Sequence, residues 1–149
     1  LLILSILLNN LFSSEIITNL KIGETFENSE TKIVFQSIDQ KKEKNYNSII
    51  ANFEIHSANG RKDKLYPELR NYDQPVIATS EADIKTTLLT DKFIVINLVK
   101  NQDFFNVRYQ VKPFMLWIWI SVMLISFGGL LSLFKKKPLK KKFYLFLSF

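Results

Sequence analysis

The sequence contains no cysteine, which excludes a disulfide framework, a thiolate metal site and a thiol nucleophile within its 149 residues. A domain of about a hundred residues can bury a sufficient core without such staples, so the absence is compatible with an extracytoplasmic location. Glycine is scarce as well. None of the four sits in a phosphate-cradling loop or a dinucleotide-binding fingerprint. No nucleophile motif is present, and the acids are scattered without a pair at a spacing that predicts acid–base work. His56 is the sole imidazole, so any heme or metal ligation by histidine would fall to it.

An excess of charge of either sign is missing from most of the chain. The formal charge is +6, yet Lys135, Lys136, Lys137, Lys140, Lys141 and Lys142 supply it alone, and the rest balances 14 basic against 14 acidic residues. The high isoelectric point therefore belongs to the tail. A body with no charge excess cannot neutralise a run of phosphates, which excludes nucleic acid as a partner.

Two apolar runs frame the chain. Phe114 to Phe134 is free of charge and, as a helix, spans about 31 Å, enough for a hydrocarbon core of about 30 Å. Phe114, Trp117 and Trp119 stand at its start, where amphipathic rings favour the headgroup zone. The lysines follow its end, against Arg108 and Lys112 before it, so the positive-inside rule places the tail in the cytoplasm and the preceding residues outside. Gly128 and Ser132 form a small-xxx-small pair that suits close approach of another helix. The opening run, Leu1 to Phe12, reaches only about 18 Å as a helix. It lacks the charged start and cleavage site of a signal peptide. With Leu1 in place of Met, we expect a processed chain or a piece of a longer one, its first residues ending a membrane helix that begins upstream.

Between these runs the period is two. Ile33 and Phe35 share a face. Ile49, Ala51, Phe53 and Ile55 alternate with Ile50, Asn52, Glu54 and His56. Asn59-Gly60 predicts a tight hairpin turn, with Lys62 to Tyr66 returning until Pro67 stops the strand. Phe93 to Val99 reads as a central strand. Phe105, Val107, Tyr109 and Val111 alternate after a turn at residues 100–103. Thr79 or Ser80 predicts the cap of a short helix reaching Leu88 or Leu89, with Glu81 and Asp83 in its first turn. The expected fold is mostly β, an antiparallel barrel or sandwich of five or six strands with one short helix, followed by one C-terminal transmembrane helix. The expected division is 1–12 for the end of a membrane helix and 13–112 for an external β domain. Residues 113–134 form the transmembrane helix and 135–149 a cytoplasmic basic tail.

Candidate contact residues have two readings each. His56 lies on the polar face of its strand, where a solvated imidazole is ordinary. Tyr66, Tyr72 and Tyr109 suit contact with a flat aromatic ligand or service in a core. Arg61, Arg70 and Arg108 suit propionates or an acidic partner, or plain surface charge.

Several short motifs in register resemble one family. Leu65-Tyr66-Pro67-Glu68-Leu69-Arg70-Asn71-Tyr72, Thr79 to Ile84 and Thr90-Asp91-Lys92-Phe93 are similar to the LYPEKRxY, MTEAAI and RDLYV segments of the cytochrome c-type biogenesis protein CcmF, the heme lyase subunit. Val107 to Trp119 resembles its VRxYxKPFVRWIW, Phe127 to Leu133 its GGxLxL stretch, and Leu20 to Thr25 its LKPGES strand entry. The resemblance implies the last external domain and last membrane helix of a protein of the bacterial inner (plasma) membrane, with the β domain in the periplasm. An organelle-encoded chain would lie in the mitochondrial inner membrane instead. It also implies a part in accepting heme from a periplasmic heme chaperone and attaching it to apocytochrome c, whose cysteines thiol-reducing partners keep reduced. The b-type heme of the family, its tryptophan-rich segment and its axial histidines belong to the upstream portion of the heme lyase, a further implied partner. No family catalytic, cofactor-binding or metal-binding residue transfers to this chain, so whether it is itself an enzyme stays open. The reading from a different class is a membrane-anchored β module that organises an envelope complex without touching heme.

Overall fold

The computed structural model describes residues 1–58, 60–99 and 103–134. Asn59, most of the turn expected at 100–103 and the lysine-rich tail lie outside the described residues. The apolar opening forms a helix, α1 (Leu2–Phe12), and ten strands follow: β1 (Ser14–Leu20), β2 (Thr25–Glu27), β3 (Thr31–Lys42), β4 (Tyr46–Ser57), β5 (Lys62–Leu65), β6 (Glu68–Asp73), β7 (Val76–Glu81), β8 (Asp83–Thr86), β9 (Thr90–Leu98) and β10 (Phe105–Pro113). The second apolar run closes the described chain as α2 (Met115–Phe134).

The strands pair antiparallel in two sheets. One has the order β1-β10-β9-β8, and the other β2-β3-β4-β6-β7 with β5 also paired to β4. Alternation decides which side chains fill the space between them. Ile33 and Phe35 of β3, Ala51, Phe53 and Ile55 of β4, Ile94 and Ile96 of β9, and Phe105, Val107 and Tyr109 of β10 are all buried. Each fully buried Val, Ile or Phe side chain among them contributes about 1.5–3 kcal/mol. Phe35 joins the layers: its ring stacks on Phe53 at 4.5 Å within its own sheet and meets Phe105 of the other edge-on at 5.6 Å.

A bulge refines the parity of β3. Phe35 pairs with Phe53, but the next pair is Ser37 with Asn52, so Gln36 is the extra residue. Ile38 therefore lies opposite inward-facing Ala51 and packs on the core, although it is three residues from Phe35.

Two expectations are corrected. The helix expected from Thr79 or Ser80 to Leu88 or Leu89 is instead the end of β7, Ala82 and β8, followed by a bend at Leu88-Leu89. Val76–Glu81 pairs residue for residue with β6, and Asp83–Thr86 with β9. The Asp83 carboxylate, expected in the first turn of a helix, accepts the backbone N–H of Tyr66 at 2.6 Å and that of Ile84 at 2.9 Å. Ladder pairing and this cross-strand bond outweigh a local capping preference. Ten strands lie among the described residues, above the expected five or six. The hairpin expected after β4 is present, but it closes through a wider loop than a two-residue turn. His56 pairs with Lys62, Ser57 N–H donates to Arg61 C=O at 2.9 Å, and Gly60 takes the positive φ of +76°. The strand expected at Phe93 to Val99 is β9, flanked on both sides as foreseen.

The helices leave the same end of the sandwich and pack on each other. Ser5 and Ser121 are the buried residues of α1 and α2, small side chains that let the helices approach, each hydroxyl bonded to a carbonyl of its own helix.

Candidate functional site

At the end of the sandwich beside the helices, the inward-facing positions change from apolar to polar. Two residues from Ile33, Ile55, Leu65, Ile94 and Val107 on their strands, and on the same face, stand Thr31, Ser57, Asp63, Lys92 and Tyr109. They line a cleft of about 540 Å³ that opens toward α1, with Phe12, Arg61, Thr87 and Thr90 at its rim.

The Asp63 carboxylate organises this cleft. It accepts from Lys92 Nζ at 2.6 Å across the gap between sheets and pairs with Lys85 at 2.8 Å; Lys92 also donates to Ser57 Oγ at 2.9 Å. The side chains of Asp63 and Lys92 are each only 12% exposed. Burial pushes the Asp63 carboxyl up, but hydrogen bonds from Lys85 and Lys92 outweigh it and hold the group below its ordinary range. The buried Tyr109 phenol is raised, first by burial and then by the Asp63 charge beside it. The cleft lining as a whole is balanced in charge, with Glu30 and Asp63 against Arg61 and Lys92, so it offers paired polar groups rather than a field of one sign.

A second cluster lies on the outer side of β4, β6 and β7. Arg70 donates to Glu68 at 2.8 Å, reaches Glu81 at 3.8 Å and lies 5.2 Å from the centre of the Tyr46 ring, which in turn packs against Tyr72 at 5.3 Å. The Arg70 hydrogen bond, against a smaller opposing effect of burial, lowers the Glu68 carboxyl.

The candidate residues thus part company. Arg61 and Tyr109 come together at the cleft, although Tyr109 is 2% exposed and serves the core with most of its ring. Arg70 and Tyr72 belong to the β6 cluster. Arg108 pairs with Glu15 on the outer face of the first sheet, and Tyr66 is exposed at the β5–β6 connection. His56 Nε2 lies 2.8 Å from Glu54 Oε1 on the polar face of β4. The one imidazole is held by a carboxylate on a different face from the cleft, and no group of three metal-holding side chains occurs among the described residues.

Asp63, Lys85 and Lys92 were not foreseen as candidates. Their separation along the chain hides them, but one signal was available. Lys92 has the parity of Ile94 and Ile96, and Asp63 that of Leu65, so two opposite charges were bound to face inward at the same end.

Residues 11–113 match the family described as the CcmF C-terminal beta-sandwich. The chain belongs to that family. Among relatives of this CcmF-type sandwich, the cytochrome c-type biogenesis protein ccl1 of Rhodobacter capsulatus is 34% identical over 113 residues, covering 76% of this chain and 17% of that protein. The cytochrome c-type biogenesis protein CcmF of Haemophilus influenzae is 26% identical over 126 residues, covering 85% and 19%. A solved structure of the cytochrome c heme lyase CcmF superposes with a TM-score of 0.62 at 18% identity, covering 85% of this chain and 21% of that one, a likeness of fold. The chain spans about a fifth of the length of the CcmF proteins it matches. α2 is the one described helix long and apolar enough to cross a membrane.

Proposed function

We propose that this chain is the C-terminal part of a membrane heme lyase subunit for cytochrome c maturation. The observation that carries the reading is the family match across residues 11–113, which takes in the whole sandwich. The relatives' names as cytochrome c-type biogenesis proteins, and the heme lyase whose fold it shares, support it. On this reading α1 ends a membrane helix, α2 crosses the membrane, and the tail of six lysines stays on the cytoplasmic side. The sandwich stands in the periplasm, or in the corresponding space of a mitochondrion.

The physical role proposed for the sandwich is a wall beside an external heme site. Heme arrives from a periplasmic chaperone, is held by the upstream portion of the lyase, and is attached to apocytochrome c. A body of balanced charge does not steer partners over long range, so contacts rest on local patches such as the Asp63 cleft.

The test is excision of residues 14–113 from the gene, followed by heme staining of denaturing gels, which reports covalently bound heme. Loss of stained c-type cytochromes with unchanged b-type spectra is expected. Full staining without the sandwich would contradict the reading and leave a module that organises other envelope proteins.

A further inference from the structure

The β8–β9 hairpin turns through Thr87-Leu88-Leu89-Thr90, with two leucines at its tip. Turn tips in water favour Gly, Asn, Asp, Ser and Pro, each for its backbone preference or its polarity. Here the threonines close the turn. Thr87 N–H donates to Thr90 C=O at 2.9 Å, Thr87 Oγ1 donates to the same carbonyl at 2.7 Å, and Thr90 N–H donates to Thr87 Oγ1 at 3.1 Å. The leucines add nothing to that closure and do not enter the core, since Leu88 is 73% and Leu89 59% exposed.

Their position says what they meet. Trp117, the third residue of α2, donates its indole N–H to the Leu88 carbonyl at 3.0 Å, and the Phe114 N–H donates to the Leu89 carbonyl at 2.7 Å. The hairpin tip is thus tied to the first turn of the helix read as the membrane span. A 20-residue helix is about 30 Å long, the thickness of the hydrocarbon core, so its first turn lies at the core's edge. Trp117 and exposed Trp119 mark the same level.

We propose that Leu88 and Leu89 form a lipid-inserting finger that seats the cleft end of the sandwich on the bilayer. The finger enters the boundary between headgroups and acyl chains, where such apolar elements lie about 5–10 Å deep. It gives the sandwich a third point of attachment beside α1 and α2, which limits its tilt. The Asp63 cleft then opens at the headgroup level. This inference rests on α2 being a span.

The absence of cysteine makes the test clean. Nitroxide labels on Leu88→Cys, Leu89→Cys, Val76→Cys and Met123→Cys are compared in the chain reconstituted in phosphatidylcholine vesicles. The measurement is collision with oxygen, which concentrates in lipid, and with a water-soluble nickel chelate. Val76, 90% exposed at the β6–β7 turn, is the aqueous reference, and Met123 the mid-span reference. The labels at 88 and 89 are expected to collide with nickel several-fold less than that at 76, and with oxygen more. Nickel collision equal to position 76, with position 123 in lipid, overturns the finger alone. Shielding from both reagents places protein over the tip and overturns it too. A label at 123 that collides freely with nickel overturns the span as well.

Discussion

The carboxylate of Asp63 on β5 meets the ammonium of Lys92 on β9 at 2.6 Å, across the gap between the two sheets. This is a charged contact at the polar end of the inter-sheet layer, and it shapes the acid response of the fold. The folded-state pKa of Asp63 is depressed, with burial opposed and exceeded by the two lysines. Its contribution to stability is therefore present above the ordinary aspartate pKa of about 3.9 and is lost as pH falls through the lower folded value. Urea midpoints followed by strand circular dichroism should fall below about pH 4, and Asp63→Asn should flatten that fall. The share of one partly screened group is about 1 kcal/mol or less.

Lys92→Met removes the better buried of the two ammonium groups and leaves Asp63 with Lys85 alone. A loss of about 1–3 kcal/mol is expected at pH 7. Lys85 is 45% exposed, so Lys85→Met should cost less than about 1 kcal/mol. Equal effects in denaturant titrations would show that the inter-sheet contact has no special weight.

Phe35 touches both sheets, and Phe35→Ala should destabilise the sandwich by about 3–5 kcal/mol through the cavity it leaves. Val76→Ala, at an exposed turn, should stay within about 0.5 kcal/mol of the parent. Thermal unfolding of the two variants side by side checks the assignment of the core.

Much of this core is legible from residue parity. Ile33, Phe35, Ala51, Phe53, Ile55, Phe105, Val107 and Tyr109 all face inward as their alternation requires. Ile38 escapes that rule, because a bulge is a property of the pair of strands and not of either one. Thr79 to Asp83 misleads for a related reason. Its residues carry good helix-capping chemistry, while β6 offers a full ladder that no local pattern records. The cleft is harder still. Arg61 and Tyr109 are individually visible as candidates, but the Asp63, Lys85 and Lys92 cluster exists only once β5, β8 and β9 converge. The exposed Leu-Leu tip was hidden by the helix expected to contain it.

Arg70 holds Glu68 and covers the Tyr46 ring, so Arg70→Ala should let the Glu68 carboxyl rise toward its ordinary range. Arg70→Ala and Tyr72→Ala are expected to leave membrane insertion intact while reducing c-type cytochrome yield on heme-stained gels. Arg70→Lys should restore little, because an ammonium lacks the planar fork that pairs and stacks together. Immunoblots of the chain separate this effect from loss of protein. Unchanged yield at unchanged protein level would free the β6 cluster of any functional role.

Every step of the functional account needs the strands outside and the lysines within. Protease added to sealed membrane vesicles of defined orientation tests this directly. Cleavage inside residues 14–113 is expected when the non-cytoplasmic face is exposed, and protection when the vesicles are inverted. Cutting of the sandwich only in inverted vesicles would contradict the account.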